Sequence, residues 1–262
     1  MIKIIFLCIY KMRLFILIIP IIIIIILFIY VIYTNFNEKF EIPNIIFKSK
    51  GDIQLFIIND KDDYIKNMSI YDLRARKMKS NEEYINMIIT NVLDFTDEQK
   101  EKLKRCSLKA SEYFNNGKTW KFALISSIYE EGFPHTREDL IFLSPSVLNF
   151  DEKILTKTLI HESIHIYQRY NKNLMDEYMI KKGFEKIRRR EKGGLIRSNP
   201  DLDEFIYKDK NGIEMVAYYN SEYPNGIGDI KTSNNMEHPF EYMAYEMAED
   251  YYKSLMNKYK EL

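Results

Sequence analysis

Cysteine is almost missing from this chain: two occur, Cys8 inside an apolar run near the N-terminus and Cys106 alone in the rest of the sequence. With one thiol outside the leader, no disulfide framework can hold the remainder together. An excess of either charge is missing too. The 38 basic and 38 acidic side chains are interspersed and the formal net charge is zero, which excludes the electrostatic footprint of a nucleic-acid binder. No stretch has the Gly/Ser or Pro bias of a long linker, and no fixed-period repeat is present. The abundance of Ile, Lys, Asn and Tyr reads as coding bias and carries no functional weight.

What is present begins with the leader. Residues 14–33, LFILIIPIIIIIILFIYVIY, carry no charge; at the helical rise these twenty residues span about 30 Å, the thickness of a bilayer core. Pro20 lies near one end, and Tyr30 and Tyr33 sit where interfacial aromatics are expected. The following YTNFNEKFEIP offers no small-residue cleavage site, so an uncleaved single-pass anchor is expected rather than a signal peptide. A short basic N-terminus (Lys3, Lys11, Arg13) kept in the cytosol would place the large domain on the non-cytosolic side, where the sequon Asn67-Met68-Ser69 is compatible. The chain of 262 residues thus divides into a tail and anchor, 1–40, and a domain, 41–262.

Within that domain the apolar run Ile53 to Ile58 predicts a strand. Capping boxes, Ser80 with Glu83 and Thr96 with Gln99, announce two helices in a helical part of about 62–118. In the part from about 119 to 262, Trp120 to Ser126 and Asp139 to Ser144 read as strands. Asn149 or Asp151 can cap a helix running to about Tyr170, and a second helix is expected to follow to about Arg188. Two strand-like runs joined around Asn211-Gly212 form a hairpin, with Lys208 to Lys210 pointing to a loop longer than two residues. A final helix starts at about Pro239. The class is α+β, with a central helix, a small mixed sheet and a helical N-terminal part.

The central helix carries His161-Glu162-Ser163-Ile164-His165. Histidines four apart project from one face of a helix one turn apart and can share a metal ion. In such HExxH sites the glutamate is not a ligand; it takes the proton of the attacking water and later returns a proton to the leaving amine. Two imidazoles and a carboxylate suit Zn2+. A hydrolytic zinc keeps one position open, so one more protein ligand is expected downstream, best sought between Glu237 and Glu246. Glu241, His238 and Glu237 all stand there. The rival reading of the motif is an ordinary histidine pair on a helix surface. His135, before the second strand, reads as a loop residue, and Asn199-Pro200-Asp201 as a turn.

HESIH followed by a helix beginning EYMA resembles the gluzincin metallopeptidases, and the Glu-aromatic-x-Ala pattern is most similar to the lethal-factor type. The resemblance covers about Trp120 to Glu249. It implies a zincin-like metallopeptidase domain, with Glu241 as third zinc ligand and Ala244 as the residue that lets its helix pack closely on the HExxH helix. Asn234 stands where the lethal-factor type has a tyrosine. Stabilisation of the transition state would then come from elsewhere, with Tyr218, Tyr219, Tyr223 and His238 as candidates. The expected activity is hydrolysis of a peptide or protein substrate lying along the Asp139 to Ser144 strand by strand addition. Two competing classes are a non-catalytic, membrane-tethered interaction protein with a structural zinc, and an anchored scaffold whose charged helices bind a partner.

Overall fold

The computed structural model describes residue 27 and residues 43–191, 193–233 and 236–258, with the side chains of 256–258 excepted. The expected anchor, all but Leu27, lies outside them. Among the described residues no helix is long and apolar enough to cross a membrane.

Residues from Pro43 onward form one compact α+β unit. Its centre is a sheet in the order β1 (Ile45–Phe47), β3 (Trp120–Ile125), β5 (Leu140–Leu143), β4 (His135–Arg137), with β2 (Val92–Leu93) antiparallel to the end of β3. β1, β3 and β5 run parallel and β4 is antiparallel to β5. A parallel sheet needs cover on both faces, and the alternation along β3 shows how it gets it. Phe122 and Leu124 join a core with residues of α4 (Asp97–Tyr113), α6 (Glu152–Tyr170) and α8 (Pro239–Lys258), the short α5 (Pro145–Leu148) adding Val147 and Leu148. Ala123 and Ile125 join a second core with α1 (Lys50–Asn59) and α3 (Asn81–Thr90). Between α1 and α3 lies the short α2 (Ile70–Ala75). A two-sided strand reads as an unbroken apolar run for this reason.

The caps do what their chemistry requires. Thr96 and Gln99 close a reciprocal capping box on α4, and the Ser80 side chain accepts the Glu83 N–H at the start of α3. Asp151, not Asn149, caps α6, accepting from the Ile154 N–H at 2.8 Å. The helix ends at Tyr170, as its pattern predicts. Ala244 of α8 is fully buried in the core that α6 shares.

Three expectations are corrected. Ile53 to Ile58 is not a strand but the body of α1: Ser49 accepts the Asp52 N–H, and Ile53 and Ile57, four apart, are both fully buried while Leu55 and Ile58 face solvent. A six-residue apolar run has no periodicity to separate the two states, and the cap decides it. The second helix, α7 (Lys172–Lys182), stops well short of Arg188, because Gly183 takes the left-handed conformation (φ 76°) that terminates it. Glu185–Arg189 is β6, a charged and exposed strand whose identity comes from pairing with β7 (Phe205–Lys208). The third correction is functional. β5, the strand expected to receive substrate, is paired on both sides, by β3 and β4, and has no free edge.

β7 and β8 (Glu214–Met215) form the expected hairpin, its five-residue loop turned by Gly212 at φ 80°. The run after β8 then leaves that sheet at Val216 and continues as β9 (Ala217–Tyr219), paired with β10 (Ile230–Thr232).

Candidate metal centre and cleft

α6 presents His161 and His165 one turn apart, their Nε2 atoms 3.0 Å from each other. Glu241, in the first turn of α8, brings its Oε2 to 3.3 Å from His161 Nε2 and 3.8 Å from His165 Nε2. A tetrahedral ion bonded at about 2.0–2.1 Å holds its donors about 3.3 Å apart. The observed triangle therefore surrounds a point roughly 2.0 Å from all three atoms, a zinc–nitrogen or zinc–oxygen bond length. Among the described residues this is the one group of three or more His, Cys, Asp or Glu side chains that converges in this way.

Each of the three donor side chains is held by a residue with no motif of its own. The Gln168 Oε1 lies 2.9 Å from His165 Nδ1, and its Nε2 donates to the Phe240 carbonyl at 2.9 Å. Gln168 thereby fixes the imidazole with Nε2 toward the cluster and ties α6 to α8. Asn199 Nδ2 donates to Glu241 Oε1 at 3.0 Å, which leaves Oε2 free to face the histidines, and also to Glu237 Oε1 at 2.9 Å. Glu237 is ion-paired to Arg197. The Tyr245 ring, one turn beyond Glu241, packs edge-on against His161 at 4.6 Å between centroids.

Protonation follows from this packing. Burial alone would push the Glu241 carboxyl up, but the histidines and the Asn199 donor more than offset it and hold it down at about 2. Burial lowers His165, partly opposed by the Asp201 and Glu241 carboxylates. An ionised carboxylate beside a neutral imidazole is the state a metal requires. Glu162 is the opposite case. It is almost fully buried, burial and the neighbouring Asp201 and Glu241 carboxylates push it well above the usual carboxylate range, and its Oε2 has no hydrogen-bond partner. An orphaned buried carboxyl beside two more carboxylates calls for a cation and for a polar group in the cleft. The donor set and the orphan both fit Zn2+.

The centre opens onto a cleft of about 550 Å³ lined by His161, Glu162 and Glu241, by Tyr245, and by Phe133, Phe150 and Ile154 at its solvent end. Of the other candidates from sequence, Glu237 and His135 line the cleft, while His238, Tyr218, Tyr219 and Tyr223 do not. His238 is turned away: its Nδ1 accepts the Phe240 N–H at 3.1 Å, its Nε2 lies 3.2 Å from Asp203, and so it is neither third ligand nor stabiliser. Tyr219 donates to Asp72 at 3.0 Å in a separate small cluster. Tyr218 packs on Ile196, Ile206 and Val216, and Tyr223 lies exposed beneath Arg74. Tyr245 is the tyrosine that lines the cleft. His135, expected in a loop, is instead the first residue of β4; its buried ring stacks on Phe142 and it lines the cleft, with its Nε2 unpartnered.

Gln168 and Tyr245 had a signal in their spacing, three residues beyond His165 and four beyond Glu241 on the same helix faces. Asn199 and Asp201 had none; the turn expected there is the segment that holds the ligand. No family model matches this chain, and neither a curated protein nor a solved structure is significantly similar to it.

Proposed function

We propose that the unit is a zinc-dependent peptidase of the zincin-like kind, in which His161, His165 and Glu241 hold the ion and Glu162 serves as general base and then general acid. The observation that carries the reading is the convergence of three donor atoms on one point beside an unpartnered buried carboxyl, at the wall of a cleft. Bound there, zinc would supply Lewis acidity toward a carbonyl oxygen and toward water.

The chain's own residues perform the proton transfers. Glu162 accepts a proton at its carboxylate as the water oxygen attacks the carbonyl carbon, then delivers it to the amine nitrogen as the C–N bond breaks. Gln168 and Asn199 keep the ligands in place without moving. Tyr245, which lines the cleft and packs on His161, supplies a hydroxyl for the developing oxyanion in this reading. Burial of Glu162 keeps competing water from its second oxygen. A purely structural metal site has no use for such a carboxyl, which favours the enzyme over a tethered, non-catalytic protein.

Elemental analysis of the purified chain tests the centre. About one zinc per chain is expected in the wild type and none in His161→Ala, while Gln168→Ala should bind zinc roughly 10–100-fold more weakly; zinc-free, well-folded wild-type protein would sink the proposal. The uncharged run from Leu14 to Tyr33 supports a single-pass anchor, and the basic residues Lys3, Lys11 and Arg13 before it support placing the unit on the non-cytosolic side. Retention in the membrane pellet after carbonate extraction is expected, and its release into the supernatant would argue against the anchor.

A further inference from the structure

The cleft has α6 as its floor, the edge strand β4 on one side and α8 on the other, and residues of the segment from Ile227 to Glu237 also line it. One end lies open along the first turns of α6, where Ile154 and Phe133 are exposed. The other end is crossed by residues 197–201. Asn199 holds this strap to Glu241 on α8 at 3.0 Å. The Arg169 guanidinium, on the last turns of α6, donates to the Pro200 carbonyl at 3.0 Å. At the far wall the Asp201 carboxylate accepts the Thr136 N–H at 2.7 Å and the Thr136 hydroxyl at 2.6 Å. Arg169 also takes the Glu138 carbonyl at 2.6 Å.

The Thr136 N–H is an outward-facing group of β4. In an antiparallel pair alternate residues turn their N–H and C=O away from the partner strand, and a peptide adding to this edge would need those of Thr136, the strand ending before Glu138, which turns away at φ 53°. The Thr136 N–H is already taken by Asp201 and the neighbouring Glu138 carbonyl by Arg169, and Pro134 has no N–H to offer, so this edge does not take up a peptide strand at the strap. Asp201 is also the partition between the cleft and a separate cavity of about 300 Å³ behind the strap. Because Asn199 touches a metal ligand directly, the closed end begins immediately beside the centre.

We infer that the cleft is blind at the strap, and that the enzyme acts as an exopeptidase on unstructured chain ends, with room for about one or two residues between the scissile bond and the strap at the extended-chain rise of ~3.3 Å per residue. The inference rests on the proposed peptidase reading and adds the substrate class: peptides presenting a free terminus, the rest of the chain leaving through the open end.

Two measurements on the full-length, zinc-loaded protein test it. In the first, the earliest products from long and short peptides are identified by mass spectrometry; removal of one or two terminal residues at a time is expected, and internal fragments as first products would overturn the inference while leaving the peptidase intact. In the second, peptide hydroxamates displace a chromophoric zinc chelator, the chelating group carrying residues on one side only or being flanked on both. The one-sided probe should act at about tenfold lower concentration or less, and equal displacement would overturn the blind cleft even if no peptide is ever cut. Displacement by neither probe would sink both readings. Asp201→Ala should bring the two-sided probe toward the one-sided value; if that variant does not fold, the wild-type comparison decides.

Discussion

Glu162→Gln is expected to abolish hydrolysis, with a loss of about 10²–10⁴-fold or more in kcat, while leaving zinc bound. The amide fills the same space but cannot take a proton from water. His161, His165 and Glu241 keep their places because none of their hydrogen bonds involves Glu162. Zinc content together with turnover of a cleaved peptide checks this, and retained turnover would exclude the mechanism. The same variant should change stability in the opposite direction. The Glu162 carboxyl lies well above its ordinary value in the folded, metal-free protein. A group raised in this way costs stability once pH rises past its unfolded value of about 4.3. The metal-free Gln variant should therefore be more stable than the wild type at pH 7, by about 0.5–2 kcal/mol, and no more stable at pH 4. Thermal melts at the two pH values read the difference. A site that is costly to keep until a cation arrives is what a metal-dependent base requires.

Arg76→Met carries the largest expected cost to folding. The Arg76 guanidinium is buried, bonded to Glu130 at 3.0 and 2.5 Å, to Tyr64 at 2.9 Å and to the Asp72 carbonyl at 3.0 Å. Glu130 in turn accepts from Tyr84 at 2.6 Å. Burial would push the Glu130 carboxyl up, but the Arg76 charge and the donors more than offset this and lower it. Its contribution is accordingly present above the ordinary carboxylate range and lost as pH falls toward the lowered value. Removing the cation leaves the Glu130 and Asp72 carboxylates buried without a counter-charge, at a cost of about 3–5 kcal/mol. Glu130 and Glu131 also sit at φ 46° and 52°, a left-handed pair at the cleft wall that such bonds hold in place. Glu131 receives the Ile227 N–H at 3.0 Å, so the wall itself should loosen. Urea unfolding checks the loss. Lys104→Met, which breaks an exposed pair with Glu101, is the control and should cost about 0.5 kcal/mol at most.

The sequence on its own determined the helix that carries the centre. A cap at Asn149 or Asp151, the apolar spacing through Leu155, Leu159 and Ile164, and the four-residue interval between the histidines are local features. Local features act through the hydrogen-bond geometry of one helix, so they are legible wherever they occur. The same holds for the capped helices α3 and α4, for β3 and β5 as apolar runs, and for the hairpin around Gly212. It fails where local chemistry is neutral. The run from Ile53 to Ile58 fits a buried strand or a buried helix equally, and β6 is a string of charged residues that becomes a strand only because β7 lies beside it.

Only the tertiary structure decided the rest of the site. Of Glu237, His238 and Glu241, three ligand candidates within five residues, the fold ties the first to Arg197 and the second to Asp203, and leaves Glu241 facing the histidines. Nothing in the spacing from His165 could make that choice, since the intervening chain passes through two sheets before it returns. Asn199 and Asp201 are the sharper example. In the sequence they are a turn; in the fold they join α8 to β4 across the floor of α6, and that connection holds Glu241 toward the histidines and, in the proposed reading, closes the cleft. Contacts of this kind depend on surfaces that meet only once the core has formed, which is why a helix motif can be read from a single chain and the shape of the site around it cannot.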